Sequence, residues 1–296
     1  MKKVCIINQP EGLGDILYLQ KIGYFFQEQG YEIYWPVNPF YCDYIGDYLN
    51  NFNYFCNKNF QDPSEEHFID MGLTKDIFEL YLEYSGPRGE IYSGISGGID
   101  LKIVPLNHLG SIRPANPEIM DNPGTMQKRK YAFVGVSDSD WPDYLHINRN
   151  TDKENDLYYN VLGLKDNEDY GLVNIFLGTP PSCTSTLSII LDDFLGSDSS
   201  KNGLRHISLD FIEGFTLFDW MKVIENAKEI WMEGSAITWI CEKLNLKAEK
   251  LVLYQRNGNY NAEMHNLFSH PWLAPSHGPS VGFPEQSFSP IPLLKK

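Results

Sequence analysis

Gly12, Leu13, Gly14 and Asp15 are the residues whose types and spacing point most directly to chemistry, and they follow an apolar run at 4–7. A strand, a glycine turn and a helix in this order form the first half of a βαβ unit, whose ligands bind at the end of the strand. The glycines let a ligand approach the backbone closely. A carboxylate in the first helical turn would repel a phosphate, so two interpretations stay open for Asp15. It caps the helix, or it is a catalytic base beside a neutral hydroxylated substrate.

A second strand, turn and helix lie late in the chain, where Glu233, Gly234 and Ser235 follow an apolar run at 229–232. Ser235 is a suitable N-cap for a helix that begins at Ala236. The amides at such a helix start would suit a diphosphate. A capped helix without a ligand is the alternative interpretation.

Further polar residues follow two other predicted strands in this half of the chain. Gly178 and Thr179 come after the strand at 170–177 and are candidate contacts for a phosphate or a base, although two prolines that follow them remove amide donors. Asp210 and Glu213 come after the next strand, at a place where acidic residues often accept hydrogen bonds from ribose. For all four residues, the alternative interpretation is that they are ordinary loop residues that bind no ligand.

The chain is acidic, with 24 Lys and Arg residues against 39 Asp and Glu residues and a formal net charge of −15 over 296 residues. This charge disfavours a protein that wraps a nucleic-acid backbone, because phosphate binding needs a basic surface. Cations are scarce, and Arg149, Lys153 and Arg205 are the candidate phosphate partners. The alternative interpretation is that each of the three is an ordinary charged residue on the surface.

Several enzyme signatures are absent from the sequence. The G-L-G-D turn is not G-x-G-x-x-G, because Leu17 stands at the third glycine position, and this disfavours a nicotinamide dehydrogenase. Neither G-x-x-x-x-G-K-[ST] nor H-E-x-x-H occurs, and the five cysteines include no C-x-x-C pair. We therefore predict no cofactor and no metal. We expect reduced thiols in a cytoplasmic protein, in the host cytoplasm if a phage encodes it, and no membrane span.

Strand-like and helix-like runs alternate twice, on either side of a polar segment at 137–169. In the first half we predict strands at 4–7, 31–37, 66–71, 101–106 and 131–136, and helices at 15–29, 40–49 and 76–84. In the second half we predict strands at 170–177, 206–209, 229–232 and 251–254, and helices at 151–162, 217–227 and 236–246. This pattern predicts an α/β fold of two Rossmann-like domains that face each other across a cleft. We expect domains at 1–150 and 151–260, and a tail at 261–296 that packs back on the body.

Two stretches of the chain resemble the heptosyltransferase-like glycosyltransferases, which have the two-domain GT-B fold. The G-L-G-D turn after the first strand is similar to the first loop of that family, and the stretch 218–230 is similar to the helix before its donor turn. The resemblance implies that Asp15 is a general base that activates an acceptor hydroxyl, and that the turn at 233–235 holds the donor diphosphate. The chain departs from the family at 233–238, where E-G-S-A-I-T stands in place of D-S-G-x-x-H.

The sequence and the resemblance together predict a metal-independent glycosyltransferase with a nucleotide-sugar donor. The acceptor, a sugar or another hydroxyl compound, is expected at 12–14 on the N-terminal domain. The residues predicted to bind the donor are Arg149, Gly178, Thr179, Arg205, Asp210, Glu213, Glu233, Gly234 and Ser235.

Three alternatives to this function stay open at the level of sequence. The first is a transferase that glycosylates a hydroxymethylpyrimidine in phage DNA, so that nucleic acid is a partner only as the acceptor. The second is a non-catalytic protein that binds a nucleotide or a sugar. The third is a sugar-nucleotide epimerase, which would convert its donor with no acceptor present.

Overall fold

The computed structural model describes residues 1–56, 64–85, 90–107, 126–176, 188–254 and 267–273. Distances between Cα atoms divide the chain into two compact units, Met1–Asn148 and Arg149–Lys296. Each unit contains one β-sheet with helices packed on it, which confirms the predicted α/β class. In the part of the chain that the structure describes, no helix is long and apolar enough to cross a membrane.

The first unit has a five-stranded sheet in the order β3–β2–β1–β5–β4. Its strands are β1 Lys2–Asn8, β2 Glu32–Val37, β3 Asn53–Cys56, β4 Tyr92–Ser96 and β5 Ile99–Pro105. β4 pairs with β5 in the antiparallel direction, and the other pairs are parallel. β1 lies at the centre because its last five residues are all buried, as in a strand that is covered on both faces.

The helices of the first unit are α1 Leu13–Tyr18, α2 Gln20–Glu28, α3 Pro39–Tyr48, α4 Glu65–Asp70, α5 Lys75–Tyr84 and α6 Met126–Val134. The single helix predicted at 15–29 is broken at Leu19, which ends α1 and begins α2. α2 ends before Gly30, whose positive φ of 86° suits a glycine after a helix. Asn38 caps α3 and accepts a hydrogen bond from the Phe40 N–H at 3.0 Å.

The second unit has a four-stranded, wholly parallel sheet in the order β7–β6–β8–β9. Its strands are β6 Tyr170–Asn174, β7 Arg205–Ser208, β8 Glu229–Glu233 and β9 Lys250–Tyr254. Its α-helices are α7 Thr151–Asn155, α8 Ile189–Gly196, α9 Asp198–Lys201, α10 Met221–Asn226 and α11 Ala236–Cys241. From the region predicted as a tail, Leu273 bridges to Val252, and Phe268 and Trp272 are buried.

Two predicted strands of the first unit are wrong, since both segments are helical. The segment predicted at 66–71 forms α4, in which only Phe68 is buried, and the third strand of the sheet is instead β3. The segment predicted at 131–136 belongs to α6 and to the turn at Gly135 that ends it. A short apolar run carries too few residues for its period to separate a strand from a helix.

The stretch 151–154, T-D-K-E, has the Thr and Glu spacing of a capping box with Thr151 as the N-cap, but Thr151 does not cap this helix. The N-cap of α7 is Asn150, whose side chain accepts a hydrogen bond from the Lys153 N–H at 3.1 Å. The predicted helix at 151–162 continues past α7 as a π-helical turn, Asp156–Val161. The helix itself is therefore present, with its cap one residue earlier than expected.

Candidate active site

The segment 9–15 leaves the first sheet at its topological switch point, between β1 and β5. The Asn8 carbonyl at the end of β1 accepts hydrogen bonds from the Leu106 N–H at 3.0 Å and the Asn107 N–H at 2.9 Å, just beyond β5. The buried side chain of Asn8 is fixed in turn by Tyr81 and by Ser85. In open α/β sheets, the crevice at such a switch point is where ligands bind.

Hydrogen bonds hold this loop in one conformation. The Gln9 side chain donates to the Glu11 carbonyl at 2.6 Å, and the Trp35 indole donates to the Gln9 carbonyl at 3.0 Å. The Asn38 N–H donates to the Pro10 carbonyl at 2.8 Å. The loop is therefore tied to β2 and to the start of α3, so that α1 begins from a fixed position.

Gly12, rather than Asp15, is the N-cap of α1, and Asp15 is the third residue of that helix. Gly12 has a positive φ of 73°, a conformation that only glycine adopts without strain. Its carbonyl accepts the Ile16 N–H at 3.1 Å. Asp15 is therefore not the N-cap of α1, although it lies in the first turn of that helix, and its side chain is 26% exposed.

Asp15 forms an ion pair with Lys130, a residue of α6 that the sequence did not single out. The Lys130 Nζ atom lies 3.2 Å from Asp15 Oδ1 and donates to Gln9 Oε1 at 2.7 Å. The contact with Asp15 is an ion pair without the alignment of a hydrogen bond. Only 4% of the Lys130 side chain is exposed. Burial lowers the pKa of Lys130, and the neighbouring carboxylate of Asp15 opposes that shift.

This arrangement suits proton transfer from a hydroxyl group. A carboxylate acts as a base only when it is ionised, and an adjacent ammonium stabilises the ionised form. Asp15 is partly exposed, so that a substrate can reach it, whereas the cation behind it is buried. The site can therefore hold a negative carboxylate at the end of β1 and present it to a neutral substrate.

In the second unit, the turn at 233–235 also lies at a switch point, between β6 and β8. Glu233 ends β8 and is fully buried, and Asn174 ends β6 and is also buried. The Gly234 N–H donates to the Tyr254 carbonyl at 3.4 Å, and the Ser235 N–H donates to Thr238 Oγ1 at 3.3 Å. Both amides of the turn are thus already used inside the protein.

The Ser235 hydroxyl is the side-chain group that begins α11. Ser235 is the N-cap of α11 and forms a capping box with Thr238, and its buried Oγ atom makes no hydrogen bond of close geometry among the described residues. The first amides of any helix lack partners within the helix. The hydroxyl and the start of α11 together could contact an anionic group, but sequence reasoning expected the turn amides themselves to do so.

Asp210 and Glu213 lie beyond the end of β7, at the same edge of the sheet as Ser235, and both are exposed. Asp210 Oδ1 accepts a hydrogen bond from the Phe211 N–H at 2.7 Å. β7 is two strands away from β8, which separates the strand ends by about 10 Å. The two carboxylates therefore share an edge with the turn without adjoining it.

The structure does not bring the predicted cations to this turn. Arg149 forms ion pairs with the buried Glu154 and, at 2.7 Å, with Glu225; its hydrogen bonds to Glu154 raise its pKa. Arg205 is the first residue of β7, at the edge of the sheet opposite Ser235, and pairs with Glu168 at 3.1 Å.

Two of the predicted donor residues, Gly178 and Thr179, lie outside the described residues. Lys153 donates a hydrogen bond to the Gly214 carbonyl at 3.2 Å. Among the described residues, no group of three or more His, Cys, Asp or Glu side chains is placed to hold a metal ion.

A serine motif in the sequence is accounted for by the fold. The stretch 94–98, G-I-S-G-G, matches the G-x-S-x-G pattern that surrounds the nucleophile of many serine hydrolases. In such enzymes the serine stands on a turn between a strand and a helix. Here Ser96 ends β4, and Gly97 and Gly98 form the turn into the antiparallel strand β5. The motif is therefore a β-hairpin, which disfavours a serine hydrolase.

No protein-family model and no curated protein matches the chain. Several solved structures are similar to it in fold. A glycosyltransferase family 9 protein from Veillonella parvula has a TM-score of 0.50 and 10% identity, over 92% of this chain and 85% of that one. An iron-containing dodecameric glycosyltransferase from enterotoxigenic Escherichia coli has a TM-score of 0.45 and 12% identity, over 94% of this chain and 64% of that one. An E. coli heptosyltransferase with ADP-2-deoxy-2-fluoro heptose has a TM-score of 0.42 and 8% identity, over 92% of both chains.

The V. parvula structure shares its fold with the chain at 10% sequence identity. Its match extends over most of both chains. The resemblance inferred from the G-L-G-D turn and from 218–230 is thereby confirmed at the level of architecture. The chain has the α/β fold of a glycosyltransferase family 9 protein.

Proposed function

We propose that the chain is a glycosyltransferase that moves a sugar from a nucleotide-sugar donor to an acceptor hydroxyl, with Asp15 as the general base. The observation that carries the proposal is the placement of Asp15 at the end of β1, partly exposed and paired with a buried ammonium. A fold shared with a glycosyltransferase family 9 protein supports the same reaction class. The acceptor binds along the glycine turn at 12–14.

The reaction follows from the chemistry of a hydroxyl beside a carboxylate. Asp15 takes the proton of the acceptor hydroxyl while its oxygen forms a bond to the anomeric carbon of the donor. The bond from that carbon to the diphosphate breaks, and its electron pair leaves with the nucleotide. Contacts that strengthen as charge develops on the leaving group contribute most to the rate.

The donor would bind at the end of β8, where the Ser235 hydroxyl and the start of α11 can offset the charge of a diphosphate. Asp210 and Glu213 are the proposed partners of the ribose hydroxyls, and Gly178 and Thr179 stay predicted contacts. For Arg149 and Arg205, a contact with the donor also stays a prediction, and it would require each to leave its carboxylate partner. No metal is needed in this scheme.

A thermal-shift screen against UDP-, GDP-, ADP- and CMP-sugars tests the donor, and Asp15→Asn then tests the base. We expect one nucleotide class to raise the melting temperature, and Asp15→Asn to lower transfer from that donor by about 10²- to 10⁴-fold. Wild-type turnover in a folded Asp15→Asn variant would contradict the assignment. Stabilisation without turnover would favour a binding protein, and conversion of the donor without an acceptor would favour an epimerase.

A further inference from the structure

Lys130 reaches Asp15 from a distant part of the sequence, and α6 holds it in place. The next residue of α6, Tyr131, donates a hydrogen bond from its hydroxyl to the Tyr18 carbonyl at 2.6 Å, at the end of α1. The rings of Tyr131 and Tyr18 also meet edge to face, 5.0 Å apart. Because α6 is anchored to the helix that carries Asp15, the Lys130 ammonium has a fixed position relative to the carboxylate.

The carboxylate of Asp15 is confined on two sides. Its Oδ1 atom faces Lys130 Nζ at 3.2 Å. Its Oδ2 atom lies against Gly12, since a Cβ atom added to Gly12 would lie 3.0 Å from it. The Lys130 ammonium also donates to Gln9 Oε1 at 2.7 Å, which links the first residue after β1 to the same cation. A single buried charge thus connects the loop and the proposed base.

We propose that Lys130 is a positioning residue, which keeps the Asp15 carboxylate ionised and oriented to accept the proton of the acceptor hydroxyl. The inference rests on the proposed role of Asp15 as the base. Lys130 gives up no proton in this scheme: the proton moves from the acceptor oxygen to Asp15, and the ammonium balances the charge of the carboxylate beforehand. A cation that is buried and linked to two residues of one loop holds a more constant geometry than a solvated surface lysine.

The other ionisable groups around the pair do not replace Lys130. Tyr18 of α1 and Tyr131 of α6 are buried, and burial raises the pKa of both phenols, so that they stay neutral. Asp138 accepts a hydrogen bond from the Tyr18 hydroxyl at 2.9 Å. Lys21 pairs with Asp140, so its ammonium balances that carboxylate rather than Asp15.

The test measures the ionisation of Asp15 directly and needs no substrate. Protein labelled with ¹³C at the aspartate carboxyl carbons is titrated by NMR, and Asp15→Asn assigns the Asp15 signal. In Lys130→Met we expect the titration midpoint of Asp15 to rise, because a nearby opposite charge favours the ionised form. Lys130→Arg keeps the charge and should leave the midpoint near that of the wild type.

Lys21→Met is the matched control. It removes another lysine of the same unit that pairs with an aspartate, Asp140, without touching the loop at 9–15. We expect no change in the Asp15 midpoint. If Lys130→Met does not give a dispersed NMR spectrum, Lys130→Gln provides the neutral variant, since its amide can still bond to Gln9. An unchanged midpoint in a folded neutral variant would overturn the proposal.

Kinetics then separate this inference from the proposed function. With the donor identified by the thermal-shift screen, Lys130→Met should lower kcat by about tenfold or more and move the acidic limb of the pH–rate profile upward together with the NMR midpoint. KM for the donor should not change, because Lys130 lies in the first unit. If the midpoint moves while the pH–rate profile does not, Asp15 is not the base, and the role of Lys130 falls with it.

Discussion

Replacing Gly12 with alanine should impair the proposed base while leaving the fold intact. Gly12 has a φ of 73°, so an alanine there adopts a left-handed conformation at a cost of about 1–2 kcal/mol. Its Cβ atom would also lie 3.0 Å from Asp15 Oδ2, closer than ordinary van der Waals contact, so the carboxylate must move. The carboxylate is the mobile partner, since Gly12 is bonded within a loop that three hydrogen bonds hold.

The backbone strain at position 12 and the displacement of the Asp15 carboxylate differ in size and are measured by different assays. A backbone cost of this size lowers the melting temperature of a unit of about 150 residues by about 2–8 °C. The Asp15 carboxylate must shift by a few tenths of an ångström, which is less than the displacement of about 1 Å that can cost about 10²-fold in rate. We therefore expect Gly12→Ala to melt slightly earlier and to lose about 3- to 10-fold in kcat, measured as release of nucleotide from the donor found by thermal shift.

Gly72→Ala is the matched control for this prediction. Gly72 lies in the same unit with nearly the same φ, 70°, but an added Cβ atom would have no heavy atom within 4 Å. It should therefore show the same fall in melting temperature without a loss of rate. If Gly12→Ala keeps the rate of Gly72→Ala, the carboxylate of Asp15 is not in the position that the reaction uses.

Further variants test the second unit and the anchor of α6. Ser235→Ala should lower the free energy of unfolding by about 0.5–2 kcal/mol, because it removes the N-cap of α11, and should weaken nucleotide-sugar affinity about tenfold by calorimetry. Arg149→Met should lower the free energy of urea unfolding by about 3 kcal/mol, because the buried Glu154 loses its cation. The affinity of the same variant for the nucleotide sugar tests whether Arg149 contacts the donor. Tyr131→Phe should cost about 1–2 kcal/mol, because the Tyr18 carbonyl loses a buried hydrogen bond.

The parts of the fold that the sequence predicts are those set by local patterns. The run at 4–7 is apolar without alternation, and it forms the central strand β1, buried on both faces. The turn at 12–15 was predicted from glycines, and Gly12 does take a positive φ. All four strands of the second unit were also predicted within three residues of their observed limits.

The hairpin of β4 and β5 shows where local patterns were too weak. β4 has no apolar run, because its residues alternate between half-buried and exposed positions at the edge of the sheet. The sequence therefore predicts no strand at 92–96. The pair Gly97 and Gly98, both with positive φ, is a two-residue hairpin signal that would have indicated the turn. An edge strand buries little surface, so its own composition says little about its pairing.

The proposed base was predictable from the sequence, but the cation that completes it was not, and the reason is physical. Asp15 stands next to the glycines that identify its turn, whereas Lys130 directly precedes the segment 131–136, for which the sequence predicts a strand, and lies in the helix α6. The feature of the sequence that could have pointed to Lys130 is the run K-R-K at 128–130, in a chain with few cations. Composition cannot tell a buried lysine from a solvated one, because burial of an ammonium depends on a partner that only the folded chain supplies. Glycine turns therefore locate a site from sequence, while the charge that sets its ionisation comes from tertiary contacts.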